Sequence, residues 1–189
     1  MNGYPVSLTI DYSETSNKST SIIRLILAIP ALILLSLLSS VGALFFPVLL
    51  LILFKQKYPR WWFDWNIELA KFSLRVSAYA LLMRDEYPST DEDQAVHVVI
   101  PYPDVKQELN KWLPLIKWAM VIPHMIILFF LEIAVLLCTV FAWFAILFTG
   151  RYPKGVFNFV EGFLRWFLRV IAYAVLLTTD EYPPFRLSE

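Results

Sequence analysis

The sequence predicts a mainly α-helical membrane protein built from two tandem copies of one unit. Hydrophobic residues make up 58% of the 189 residues and charged residues 17%, against roughly 45–50% and about 25% in average globular chains. The excess lies in two long apolar runs, and the same motifs recur in both halves. Each unit is predicted to hold a short strand, a long kinked apolar helix and an amphipathic helix, which gives about four membrane-embedded helices.

The two halves of the chain match over most of their length. LLILFKQKYPRWWFDWNIELAKFSLRVSAYALLMRDEYPST corresponds to FAILFTGRYPKGVFNFVEGFLRWFLRVIAYAVLLTTDEYPPF. Several motifs recur in the same order, so we infer a duplicated structural unit. We expect the first repeat in residues 1–90 and the second in residues 95–189, separated near the polar stretch STDEDQA. The upstream segments VSLTIDY and VHVVIPY align loosely and are predicted to be the strands.

The first apolar run, residues 25–54, contains no charged residue. A straight helix of about 30 residues would be roughly 45 Å long, whereas the hydrocarbon core needs about 20 residues. One span fits and two complete spans do not, so tilt, a kink or a re-entrant bend must absorb the excess. Pro30, Pro47 and the SSVG stretch at 39–42 are the predicted bend points, and Pro123 repeats Pro30 in the second unit.

The second apolar run, residues 118–148, carries one acid, Glu132. A charge at bilayer depth costs roughly 2.5–3.5 kcal/mol on insertion scales, so we expect Glu132 to face protein or a wet cavity. Two interpretations are open, a proton or cation site and a neutral or paired acid that fixes helix packing. The second is favoured because the counterpart in the first repeat is Ser39.

An amphipathic helix is predicted after each Tyr-Pro pair. Polar residues at spacings of three or four place one stripe on each helix. The stripes are Asp64, Glu68, Lys71, Arg75 and Tyr79, then Asn158, Gly162, Arg165, Arg169 and Tyr173. Glu161 precedes Arg165 by four residues, which suits an ion pair. Each helix either lies in the membrane interface or spans with its stripe buried against the other repeat, and its length favours spanning.

The distribution of charge predicts which side of the membrane each turn occupies. Basic residues surround both Tyr-Pro turns, while residues 85–108 are mainly acidic. Under the positive-inside rule the Tyr-Pro turns are cytoplasmic, each unit crosses an even number of times, and both termini lie outside.

Several strings in the second half resemble a known family. AMVIPH, WFAILFTGRYP, FNFVEGFLRW and RVIAYAVLLTTDEYPPF resemble the bacterial membrane-protein family DUF4389, and the resemblance covers nearly the whole chain as two copies. The first copy departs from the pattern, with FKQKYPRW in place of FTGRYPKG. The resemblance implies a multi-pass protein of the bacterial cytoplasmic (inner) membrane and brings no catalytic residues. Some members resemble partners of cell-envelope lipid-transport machinery, which implies at most an accessory role.

The sequence does not indicate an enzyme or a cofactor. It contains no GxSxG, HExxH, P-loop or GxGxxG motif, and neither His97 nor His124 has a cysteine or carboxylate at metal-ligand spacing. The single Cys138 lies in an apolar run and is expected to be a small core residue. A formal net charge of zero leaves no basic field for nucleic acid.

Two functions are therefore open. The first is a non-enzymatic accessory or interaction subunit of a bacterial cell-envelope complex, which would bind other membrane protein subunits through apolar faces and the short strands. The alternative is a lipid-handling or transport protein that binds membrane lipid headgroups between its repeats. The candidate binding residues are Arg75, Arg169, Lys71, Arg165, Glu132, Glu68 and Glu161.

Overall fold

The computed structural model describes residues 4–41 and 45–188. It is mainly helical and follows the predicted order of elements within each repeat. Of the predicted bend at 39–42, residues 39–41 form the last residues of α1, and residue 42 lies outside the described residues. In chain order the elements are β1 Ser7–Ile10, α1 Lys18–Val41, α2 Phe45–Lys55, α3 Arg60–Ala80, β2 Val96–Val99, α4 Pro114–Met120, α5 Ile122–Thr149 and α6 Lys154–Ala174.

Both amphipathic helices begin directly after a Tyr-Pro pair. Pro59 and Pro153 are the residues that precede α3 and α6, with extended backbone at φ −58° and ψ 130°, and φ −63° and ψ 123°. Proline fixes φ near this value and has no N–H to satisfy, so it suits the start of a helix. The turn therefore sets the first residue of each amphipathic helix.

A left-handed residue that is not glycine follows each amphipathic helix, two residues after the end of α3 and three residues after the end of α6. Leu82 and Leu177 have φ of 66° and 55°. This conformation is strained for any residue with a Cβ atom. Both side chains are buried in the core, and burial of a leucine side chain contributes about 1.5–3 kcal/mol. Packing of the leucine therefore offsets the backbone strain at each helix end.

The sheet takes one strand from each repeat. β1 and β2 pair antiparallel, with Ser7 opposite Val99 and Ile10 opposite Val96. On β1, Leu8 and Ile10 are buried while Ser7 and Thr9 are exposed. The two strands therefore form a ribbon with one face toward the protein and one face outward.

The elements pack in three layers. The ribbon covers the amphipathic helices, with β1 on α6 and β2 on α3, and these helices cover α1 and α5, with α3 on α1 and α6 on α5. Each strand thus packs on the amphipathic helix of the other repeat, if repeats are counted from their strands. The strand β2 is the next element after α3 in the chain and packs on it. The strand β1 precedes α1 and packs on α6, the last helix.

Two helices in the described part of the chain are long and apolar enough to cross a membrane. They are Lys18–Leu38 of α1 and the whole of α5, Ile122–Thr149, with mean hydropathies of 2.5 and 2.7. The expectation of about four membrane-embedded helices is therefore not supported. The helices α3 and α6 fall short because of their charged stripes, and α2, although apolar, has only 11 residues.

Candidate functional site

A buried cation pairs with the aspartate of the DEYP motif in the first repeat. Arg24 of α1 is fully buried and forms an ion pair with Asp85. Its Nη1 also donates to the carbonyl oxygen of Arg84 at 3.1 Å, and its guanidinium lies 5.3 Å from the ring centroid of Tyr79. The motif therefore anchors the end of the α3 segment to the start of α1.

The second repeat builds the same cluster with a lysine. Lys117 Nζ lies 2.6 Å from a carboxylate oxygen of Asp180, donates to the carbonyl oxygen of Thr179 at 2.6 Å, and stands 4.7 Å from the ring centroid of Tyr173. Burial lowers the pKa of Lys117, and the ion pair with Asp180 opposes that shift. Because equivalent residues form both clusters, the repetition of DEYP follows from the repeated fold.

The arginines predicted to bind headgroups contact backbone carbonyl groups of this chain. Arg75 Nη1 donates to the carbonyl oxygen of Ser89 at 2.9 Å, and Arg169 Nη2 donates to that of Ser188 at 2.9 Å. Both side chains are largely buried. Each arginine therefore holds the segment that follows its own DEYP motif, and a headgroup contact by either one stays a prediction.

Glu161 and Arg165 form the predicted ion pair, at 3.1 Å. The Ile10 amide donates to Glu161 Oε1 at 2.8 Å, and Arg165 Nε donates to the Leu8 carbonyl oxygen at 2.9 Å. Leu8 and Ile10 lie on β1. The ion pair therefore forms hydrogen bonds with backbone groups of β1 that do not pair with β2. An edge strand with satisfied backbone groups resists unwanted pairing.

Although α3 packs on β2, its side chains at the equivalent positions make no hydrogen bond to a strand among the described residues. Lys71 Nζ lies 2.7 Å from Glu68 Oε1, and both side chains are substantially exposed. An ion pair of this kind contributes about 0–1 kcal/mol. These two candidate residues therefore lie on the surface of the first repeat, apart from Glu161 and Arg165 on the second.

The tyrosines of the two Tyr-Pro turns are both buried but differ in their hydrogen bonds. Asn66 Nδ2 donates to the Tyr58 hydroxyl at 2.9 Å, while the Tyr152 hydroxyl has no hydrogen-bond partner among the described residues. The position equivalent to Asn66 is Val160, which cannot donate. Burial raises the pKa of Tyr58 to about 12 and raises the pKa of Tyr152 as well.

The histidines occupy different environments. His124 is fully buried, accepts a hydrogen bond at Nδ1 from the Trp166 indole at 2.9 Å, and stacks on Phe185 with ring centroids 3.8 Å apart. His97 is exposed on β2, where its Nε2 lies 3.2 Å from Asp11. The described residues hold no group of three or more histidine, cysteine, aspartate or glutamate side chains that could bind a metal ion.

A groove with a volume of about 430 Å³ lies between helices of the two repeats. Its walls come from α1 and α3 of the first repeat and from α5 and α6 of the second. Apolar side chains supply most of the lining, and the polar groups are Ser73, Ser77 and Glu132. Small-molecule sites typically have volumes of about 300–1,000 Å³ and apolar walls with few polar groups. We refer to this cavity as the inter-repeat groove.

Glu132 is the candidate residue that the structure places in the inter-repeat groove. Its side chain is exposed and, within residues 4–41 and 45–188, makes no hydrogen bond or ion pair. Sequence reasoning singled out this acid but missed the walls around it. The available signal was the spacing of Leu128, Val135 and Ala142, which marks the buried stripe of α5.

The comparisons with known proteins identify a family but no function. The family described as a domain of unknown function, DUF4389, matches residues 18–90 and again residues 114–186. No curated protein and no solved structure matches the chain. The two matches cover the helices of each repeat and omit both strands. The chain therefore belongs to the DUF4389 family, of which it carries two tandem copies.

Proposed function

We propose that this chain is a non-enzymatic membrane protein that binds a lipid in the inter-repeat groove. The observation that carries the proposal is the position of the groove between four helices of both repeats. A ligand there contacts both repeats at once. The duplication is therefore part of the binding site, which a single unit could not form.

The walls of the groove suit an acyl chain. Leu74, Leu128 and Leu164 line its interior and are buried or nearly so, while Leu32 and Phe129 at its rim are exposed. The rim residues belong to the apolar outer surface of α1 and α5. Because the groove is continuous with that surface, an acyl chain can enter from the membrane without crossing water.

Glu132 supplies the polar contact in this proposal. A carboxylate without a partner among the described residues can bind a hydrogen-bond donor or a cation without breaking a bond within the protein. A lipid headgroup with an amine or hydroxyl group provides such a donor. The ligand class is therefore an amphiphile with a donor-bearing headgroup.

The test is lipid occupancy of the protein purified in a mild detergent. Ser73 lies on α3 and lines the groove, so Ser73→Phe should fill the groove and lower lipid occupancy at least about tenfold. The matched control is Ile133→Phe, which adds bulk at an exposed position outside the groove and should leave occupancy unchanged. Native mass spectrometry reports occupancy, and circular dichroism confirms that each variant folds. Full occupancy in folded Ser73→Phe would contradict the proposal.

Glu132→Gln tests the contact with the lipid headgroup separately from the contact with the acyl chain. The variant should still bind lipid but should no longer prefer headgroups that carry an amine. The measurement is the headgroup distribution among lipids extracted with the protein. An unchanged distribution would remove Glu132 from the site while leaving the groove itself in place.

The accessory-subunit function is the second candidate, and the β2 strand favours it. Ile67 and Lys71 occupy the positions equivalent to Glu161 and Arg165, so β2 lacks the ion pair that satisfies the outer backbone groups of β1. A strand edge of this kind can pair with an extended segment of another protein. A stoichiometric protein partner that is lost on Val98→Pro would support this function. Location in the bacterial cytoplasmic membrane, with several crossings, stays a prediction.

A further inference from the structure

The layers of the molecule share one long axis. β1 runs antiparallel to α6, since Ile10 contacts Glu161 and Leu8 contacts Arg165. The helix α6 in turn runs antiparallel to α5, since only residues 150–153 join the end of α5 to the start of α6 and the Trp166 indole donates to His124 near the start of α5. The ribbon therefore lies along the helices, and any tilt of the helices in a membrane tilts the ribbon with them.

The outer face of the helical layer is apolar along its length. In the segments 22–38 and 122–148, all within the described residues, Glu132 is the single exposed charged side chain. Leu25, Leu37, Phe130 and Phe141 are representative, each with 59–71% of its surface exposed. An apolar face of this extent is suited to contact with acyl chains.

The outer face of the ribbon is mainly polar, although Val99 is also exposed there. Ser7 and Thr9 are exposed, and Asp11 and His97 form an exposed pair with 61% and 58% of their side-chain surfaces accessible. The exposed ion pair of Glu68 and Lys71 lies near the middle of α3. The polar face of the ribbon therefore lies across the layer of α3 and α6 from the apolar face of α1 and α5.

These two faces are incompatible with helices that stand upright in a bilayer. An upright α5 would carry the ribbon and the middle of α3 to hydrocarbon depth, where open sheet edges do not occur facing lipid. Each exposed charge there would add roughly 2.5–3.5 kcal/mol on insertion scales. A molecule lying on its side avoids both penalties.

We propose that the chain is monotopic: α1 and α5 lie flat among the acyl chains of one leaflet, and the β-ribbon faces water. The dimensions agree, because a helix is about 10–12 Å thick and one leaflet contributes half of a hydrocarbon core about 30 Å thick. The middle layer then lies at headgroup depth, where the exposed Trp61 and Trp65 of α3 find their preferred interface. This placement is an alternative to the several crossings predicted from the sequence, and it does not depend on the lipid site.

Depth measurements along α5 test the placement directly. With Cys138 replaced by serine, a spin label is attached to one cysteine at a time at Ile126, Ile133, Phe141 or Phe148, all exposed on α5. These positions span about 33 Å at 1.5 Å per residue. In phosphatidylcholine–phosphatidylglycerol vesicles, accessibility to oxygen should place all four at one similar depth. A profile that is shallow at both ends and deepest in the middle would overturn the proposal.

Labelling from each side of the membrane gives an independent test. Glu14 lies beside the end of α5, since the Ser16 amide donates to the carbonyl oxygen of Gly150 at 2.9 Å, and Lys111 precedes α4 at the other end. In right-side-out and inverted membrane vesicles, cysteines at these two positions and at Thr9 should react with an impermeant maleimide from the same side. Reaction of Glu14→Cys and Lys111→Cys from opposite sides would establish a spanning arrangement.

The results of these two experiments test the membrane placement independently of the lipid site. Loss of the monotopic arrangement leaves lipid occupancy of the inter-repeat groove unaffected, and an empty groove leaves the depth profile of α5 unaffected. A Thr9→Cys that is protected from both sides would show that the ribbon is covered, and it would also overturn the proposal.

Discussion

The amphipathic helices α3 and α6 derive from the same unit but occupy different environments. Thirteen of the 21 residues of α6 are buried, against nine of the 21 residues of α3, which exposes a stripe that includes Trp61 and Glu68. The position equivalent to Glu68 is Gly162, where an added Cβ would lie 2.9 Å from Leu187 Cβ and 3.0 Å from the Leu187 carbonyl oxygen. The second repeat therefore accommodates the C-terminal segment against α6, and the first repeat keeps the equivalent surface open.

This comparison separates two kinds of residue. Residues that both repeats share, such as the cation, aspartate and tyrosine of the DEYP clusters, hold the unit together. Residues that differ, such as Gly162 and Glu68, reflect what packs on each copy. Substitutions at equivalent positions should therefore have equal effects in the first class and unequal effects in the second.

The largest effect is expected at the shared clusters. Asp85→Asn and Asp180→Asn each leave a fully buried cation, Arg24 or Lys117, without its counter-charge. Each should lower the free energy of unfolding by about 3–5 kcal/mol. Equilibrium urea unfolding in a mild detergent measures the change. Asp64→Asn, in an exposed pair with Arg60, is the control and should cost less than about 1 kcal/mol. Losses at Asp85 and Asp180 no larger than the control would show that these pairs do not anchor the unit.

The next effect should be unequal between the repeats. Arg165→Met leaves the Leu8 carbonyl group without its side-chain donor and removes the cation beside Glu161, so we expect a loss of about 2–3 kcal/mol. Lys71→Met at the equivalent position removes an exposed ion pair and should change stability by less than about 1 kcal/mol. Both are measured by the same urea unfolding. Equal losses would mean that the ion pair on α6 does not stabilise β1.

Local patterns were enough to predict much of this fold. The duplicated order of elements, the start of each amphipathic helix after Tyr-Pro and the pairing of Glu161 with Arg165 all depend on residues close in sequence. The pairing of β1 with β2 depends on segments about 90 residues apart, and no short-range signal encodes it. The role of Glu161 and Arg165 at β1 depends on the same non-local contact and was therefore missed.

The membrane helices and the site show a second limit of sequence reasoning. Helix length favoured spanning for α3 and α6. The stripe of α6 is instead buried against β1 and the C-terminal segment, whereas the stripe of α3 keeps Asp64 and Glu68 exposed. Glu132 was recognisable as an isolated acid in an apolar run. The groove around it results from the packing of four helices, which neither periodicity nor composition determines.

A smaller contrast is expected at the buried tyrosines of the Tyr-Pro turns. Tyr58→Phe removes the acceptor of Asn66 and leaves a buried amide unpaired, so stability should fall by about 1–2 kcal/mol. Tyr152→Phe removes a hydroxyl that has no partner among the described residues, and it should raise stability by up to about 1 kcal/mol. Urea unfolding at neutral pH measures both, because Tyr58 ionises only near its raised pKa of about 12. A loss of stability in both variants would mean that the Tyr152 hydroxyl is hydrogen-bonded.

The smallest contrast concerns the residue that follows the apolar helix before each Tyr-Pro turn, α2 in the first repeat and α5 in the second. Gln56 and Gly150 occupy equivalent positions, and both have positive φ, 45° and 73°. Both amides also donate to the carbonyl oxygen four residues earlier, that of Ile52 or Ile146, which is the left-handed helix end that glycine favours. Gln56→Gly should therefore raise the free energy of unfolding by about 0.5–1 kcal/mol, and Gly150→Ala should lower it by about 1 kcal/mol. Changes in stability of opposite sign at the two equivalent positions are the critical result. Backbone strain predicts opposite signs, whereas a turn that tolerates no substitution would lose stability in both variants. A decrease in both variants, measured by urea unfolding, would show that the Gln56 side chain stabilises this turn by more than its backbone conformation costs.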